Sequence, residues 1–138
     1  MRSFIFISLL LFLLFGCNTN KPINILILSG SNNHEWKETT PFLVEMFEVN
    51  GNFKTDLTNK PDTLNYNIIK NYDVILNNWN SWPEIDLRWN PELESGILRY
   101  LNEGGGLVFF HASTSVFYKW PEFREITTAS WEEKTGHG

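Results

Sequence analysis

Three histidines carry most of the chemistry that this sequence offers: His34, His111 and His137. Imidazole titrates near neutral pH, so each is a candidate acid, base or metal ligand. His34 lies in Ser29-Gly30-Ser31-Asn32-Asn33-His34-Glu35-Trp36, just after an apolar run, and His111 directly follows Leu107-Val108-Phe109-Phe110. A third apolar run, residues 72–77, is followed by Asn78 and Trp79, and His137 stands in Thr135-Gly136-His137-Gly138. His34 and His111 are the candidate catalytic residues. Trp36, Asn78, Trp79 and His137 are candidate substrate contacts, and the three histidines together are a candidate divalent-metal set. Glu35, beside His34, could orient an imidazole or ligate a metal, and reads slightly better as a solvated loop charge. Ser113 is a weak nucleophile candidate: Phe109-Phe110-His111-Ala112-Ser113 lacks both glycines of the G-x-S-x-G elbow, so Ser113 and Thr114 read as N-caps of a following helix.

The elements between these residues must bring them together. Residues 23–29 form a nearly continuous apolar run, the pattern of a strand buried on both faces of a parallel sheet. Thr39 or Thr40 is the expected N-cap of the next helix, with Pro41 in its first turn. Phe42, Leu43, Met46, Phe47 and Val49 are its expected apolar stripe, and Gly51 its stop. Residues 53–57 read as a second strand. Residues 62–70 read as a short helix with Leu64, Ile68 and Ile69 inward, and residues 72–77 as a third strand. A loop with Trp79, Trp82 and Trp89 leads to a helix over residues 91–102, stopped by Gly104-Gly105-Gly106, and a fourth strand follows over residues 107–110. The glycine triplet precedes a strand, so it is a helix stop and not a phosphate loop. The alternation predicts an α/β, doubly wound parallel sheet. Ligands of such sheets bind beyond the carboxyl ends of the strands, where strand order reverses.

The front of the chain reads as an address. Residues 4–15 are apolar except Ser8. That is too short for a hydrocarbon core about 30 Å thick, which takes roughly 20 helical residues, and it fits the apolar core of a signal peptide. Gly16-Cys17 at its end resembles the lipobox of bacterial lipoproteins, which implies cleavage before Cys17 and a lipid on its thiol. The expected organisation is a signal peptide over residues 1–16, a lipidated tether over residues 17–22 and one domain over residues 23–138. The expected location is the periplasm or cell surface, with the membrane as a partner through the anchor. Cys17 is the only cysteine, which excludes a disulfide framework and a cysteine-based zinc site. The net charge of −5 argues against a nucleic-acid partner, since phosphate binding needs a basic face. Aromatics make up 15 %, with six tryptophans that could line a carbohydrate site or fill a core.

The order of motifs resembles the ThuA-like (trehalose utilisation) family. The strand ending in Ser29-Gly30, the loop with His34-Glu35-Trp36 before Thr39-Thr40-Pro41, Glu103-Gly104-Gly105-Gly106-Leu107-Val108 leading into His111-Ala112, and a tryptophan followed by Gly136-His137 carry the likeness across residues 23–138. The resemblance implies a flavodoxin-like fold related to class I glutamine amidotransferases and an association with carbohydrate. Those relatives place a catalytic cysteine in the turn after a central strand. This chain has His111 and Ala112 there, so thiolate chemistry is unavailable. ThuA-like domains run considerably longer, which implies a C-terminally truncated domain with an exposed sheet edge.

Overall fold

The computed structural model describes residues 21–84 and 86–128. The expectations for Cys17, residues 1–16 and His137 lie outside the described residues. Four parallel strands form one sheet in the order β2-β1-β3-β4: β1 (Ile23–Leu28), β2 (Phe53–Thr58), β3 (Val74–Asn77) and β4 (Gly106–Phe109). The chain runs outward from β1 to β2, then returns past β1 to β3 and β4. The reversal therefore falls between β1 and β3.

Side chains alternate across β1, and each face meets its own helices. Ile25 and Ile27 join Leu76 against Leu43, with Val44 and Phe47 alongside, on α1 (Trp36–Glu48). Leu26 and Leu28 face the other way, with Ile75, into a larger core. That core contains Leu93, Ile97 and Tyr100 of α3 (Pro91–Asn102), Ile69 of the short α2 (Tyr66–Ile69) and Phe123 of α4 (Pro121–Thr127). Each fully buried aliphatic contributes about 1.5–3 kcal/mol. Helices on both faces of a parallel sheet make the chain the predicted doubly wound, flavodoxin-like α/β domain. Among the described residues β4 pairs on one side only, and Val108 is exposed.

Several local expectations are corrected. α1 begins at Trp36 with Glu35 at its N-cap position, so Pro41 lies inside the helix. Thr40 does not cap. It is buried, and its hydroxyl is hydrogen-bonded to that of Ser29 at 2.7 Å. The inward face of α1 is Thr40, Leu43, Val44 and Phe47, an i, i+3, i+4, i+7 set. Phe42, Met46 and Val49, expected in the core, are exposed. The expected helix over residues 62–70 is a 3-10 turn (Pro61–Thr63) followed by α2, and Ile68 points outward. Ser113 and Thr114 belong to a 3-10 turn (His111–Thr114), while α4 starts seven residues beyond Thr114 with Pro121.

Candidate functional site

Strand register fixes where the site lies. Leu28 is paired with Thr58 and Asn77, and Asn77 with Phe109, so all four strands end on one line. Backbone bonding continues past them: Ser29 N–H donates to Thr58 O, Asn78 N–H to Leu28 O, and Phe110 N–H to Asn77 O, each at 2.9 Å. The loops after β1, β3 and β4 consequently open at the same edge, over the switch point.

There the two candidate catalytic histidines meet. The rings of His34 and His111 lie 4.3 Å apart between centroids, tilted by 48°. They come from strands that are not neighbours, since β3 separates β1 from β4. Both are exposed. His111 takes the left-handed backbone conformation, φ 50°, at the first residue of its turn. A non-glycine residue held there costs on the order of 1–3 kcal/mol and persists where its surroundings over-determine it; such residues cluster at functional sites. The turn throws the imidazole out above the strand end, toward His34. His34 is held from behind: its N–H donates to Asn32 Oδ1 at 3.0 Å, and its carbonyl accepts from Trp36 N–H at 2.7 Å.

A network of asparagines fastens the loops beneath the pair. Asn80 is fully buried, and its Nδ2 donates to Asn32 Oδ1 (3.0 Å), Asn33 Oδ1 (2.8 Å) and Ala112 O (3.3 Å). Its Oδ1 accepts from Trp82 N–H at 3.0 Å, and its own N–H donates to Ser31 O at 2.9 Å. One side chain thus ties the His34 loop, the β3 loop and the His111 turn together. Asn32 Nδ2 in turn donates to Asn78 O at 3.0 Å. Nothing in the spacing of Asn80 singles it out. The available signal was the crowding of amides, Asn32-Asn33 on one side of the switch point and Asn77-Asn78 with Asn80 on the other. Asn80→Asp keeps the shape but replaces the donor with an acceptor facing three oxygens. Each buried partner left unmatched costs about 1–3 kcal/mol. The expected result in urea unfolding is a loss of at least 2 kcal/mol, on the order of one to two such partners, whereas Asn33→Ala at the exposed end of the network should change stability far less.

The remaining candidates fall into different places. Asn78 is buried, its Nδ2 donating to Thr40 Oγ1 at 3.0 Å and Thr39 Oγ1 at 3.3 Å, so its side chain is occupied in holding α1 to β3. Trp79 is a core residue and not an open platform: it is 7 % exposed, stacks on Phe117 at 5.7 Å and 15°, and packs on Trp89. The exposed tryptophan of that loop is Trp82, at 38 %. Trp36 is half-buried, with the Lys37 ammonium 5.6 Å from its ring centre. The Glu35 carboxylate makes no hydrogen bond among the described residues and is a solvated charge. Ser113 is fully buried, which takes it out of reach of a substrate. No group of three or more His, Cys, Asp or Glu is placed to hold a metal among the described residues. The histidine pair alone supplies two nitrogens, where catalytic zinc sites use three protein ligands.

Comparison with known proteins agrees with this architecture. A ThuA-like protein of known structure from Parabacteroides merdae superimposes with a TM-score of 0.69 at 29 % identity, over 82 % of this chain and 40 % of its own. A second, from Bacteroides uniformis, gives 0.58 at 23 % identity, over 80 % of this chain and 46 % of its own. The chain thus spans less than half the length of either. No protein of curated function matches it. The model of the family described as "ThuA: Trehalose utilisation" matches residues 24–137. With that match over most of its length, the chain belongs to the ThuA family.

Proposed function

We propose that this domain acts on carbohydrate at a membrane surface, with His34 and His111 as its acid–base pair. The observation that supports the reading most is the pair itself. Two imidazoles from non-adjacent strands meet at the switch point, one on a left-handed turn. One imidazole accepts a proton from a sugar hydroxyl or C–H while the other donates to the oxygen on which charge develops. Trp36, two residues from His34, and Trp82 supply aromatic surface at the rim. The family's printed description links it to trehalose, which makes di- and oligosaccharides the substrates to test first. Product formation from such a panel, measured with and without added divalent metal, tests the reading. Unchanged turnover in a variant lacking both imidazoles would sink it.

A second reading is sugar binding without turnover. It draws on the fact that no carboxylate among the described residues hydrogen-bonds either imidazole, whereas catalytic histidines are commonly oriented by a third group. Saturable tryptophan-fluorescence changes with no product would favour it.

The membrane location is part of the same proposal and rests on Cys17 after its apolar leader. Among the described residues no helix is long and apolar enough to cross a membrane. The attachment in this proposal is a lipid on Cys17. Cys17→Ser is expected to abolish incorporation of labelled fatty acid and move the chain from the membrane pellet to the soluble fraction. Unaltered labelling and partition would refute the anchor.

A further inference from the structure

The opposite end of the sheet carries a second feature. Where β3 and β4 begin, an open cleft of about 590 Å³ is lined by Tyr66, Lys70, Tyr72, Asp73, Glu103 and Gly105, among others. That volume lies inside the range of about 300–1,000 Å³ usual for small-molecule sites. We propose that this cleft binds an uncharged polyhydroxylated ligand, a mono- or disaccharide, independently of the histidine pair.

One wall is built before any ligand arrives. The Arg99 guanidinium lies 3.8 Å from the centre of the Tyr66 ring and donates to Glu103 Oε1 at 2.9 Å, while the Tyr66 hydroxyl donates to Glu103 Oε2. The bond to Glu103 raises the phenol's pKa, and the same bond, with Arg99, lowers that of the carboxyl. The donor and acceptor roles in this wall are thereby fixed across the neutral range. The floor is equally settled: a Cβ on Gly105 would stand 2.2–2.4 Å from Tyr100 ring carbons, so only glycine lets that ring lie beneath the rim. Tyr72 adds a half-buried ring, held by its hydroxyl donating to Asp56 Oδ2 at 3.0 Å.

Against this rigid aromatic frame, three side chains keep bonding capacity. The Lys70 ammonium has three hydrogens and, among the described residues, makes one hydrogen bond, at 3.3 Å to Asn67 Oδ1, while lying 5.7 Å from the Tyr66 ring centre. Among the described residues Asp73 accepts at its carboxylate from Asn24 N–H alone, through Oδ2. The Asn71 amide donates to Asn67 O and Ile68 O, leaving its own oxygen. One donor and two acceptors beside tyrosine rings match a sugar, whose hydroxyls both give and take hydrogen bonds and whose C–H faces pack on aromatics. The mixed signs of Lys70, Asp73 and Glu103 disfavour an anion or a cation, and the polar rim disfavours an apolar guest.

Trehalose titrated into the full-length, isotope-labelled chain provides the test, read amide by amide. Movement of the Asn71, Gly104 and Gly105 resonances is expected, and Lys70→Ala combined with Asp73→Ala should weaken the binding reported there by at least about tenfold. Both side chains are exposed, so the fold should survive. The same shifts should persist in the variant lacking both imidazoles, which separates this site from the one over the strand ends. Shifts confined to residues 29–36 and 111–115, no shifts at all, an undiminished response in the double variant, or inorganic phosphate moving the same amides in place of trehalose would each overturn the assignment.

Discussion

His111→Asn is expected to lower sugar turnover by about 10²–10⁴-fold, the range attributed to one positioned acid or base. Asparagine is the informative replacement because it tolerates the left-handed backbone that His111 adopts. Alanine at φ 50° would add roughly 1–2 kcal/mol of backbone strain and confuse a chemical loss with a structural one. His34 has no such constraint, and His34→Ala should produce a loss of the same order. If the imidazoles exchange protons with the substrate only in the transition state, kcat should fall with KM little changed. The double variant should then lose little more than either single one, since residues acting as a unit are not additive. Turnover unchanged in both single variants, measured by product formation, would remove the pair from the mechanism.

Gly30→Ala should be the most destabilising small substitution near the site. Gly30 lies two residues beyond β1 at φ 100°, and a Cβ there would stand 2.2 Å from the Asn59 carbonyl oxygen and 2.8 Å from its carbon. Both atoms are backbone, so neither can swing away. Strain at a forbidden conformation costs about 1–3 kcal/mol, and forced overpacking about as much again, giving roughly 2–6 kcal/mol in all. That is a large part of the 5–15 kcal/mol typical of a domain. Gly51→Ala is the control: its φ is 67°, but a Cβ there meets nothing within 4 Å. It should cost only the strain, about 1–2 kcal/mol. Equal losses at the two positions in urea unfolding would show that the approach to Asn59 is not what demands glycine at Gly30.

Local chemistry made parts of this fold readable and long-range bonding hid others. The helix at residues 91–102 has the limits its sequence predicts, because Asn90 caps it through Leu93 N–H at 2.8 Å, Pro91 fits its first turn and Gly104 at φ 94° follows it. β1 was equally plain, since burial on both faces leaves no polar alternation to confuse. α1 misled because Thr39 and Thr40 look like caps, and their hydroxyls instead serve Asn78 and Ser29 across the fold. His34 and His111 could be placed at strand ends, which is a local property. Their contact, and the bonds of Asn80 to residues 47 and 48 positions away, could not be inferred, because they follow from strand order and register. Tryptophan was the least readable: only packing distinguishes Trp79 inside the core from Trp82, exposed in the same loop.

The meeting of His34 with His111 also has a meaning for the time course of folding. Seventy-seven positions separate them, and β3 must be seated between β1 and β4 before the rings can touch. Such non-local pairings are the slow part of assembly, because the entropy of closing a long loop is lost before any contact repays it. The helices can form without the pair, but the pair cannot form without the whole sheet. A nascent chain released with β4 unpaired would have much of its secondary structure and none of its proposed chemistry, so the proposed reaction would begin only once the last strand of the sheet is seated.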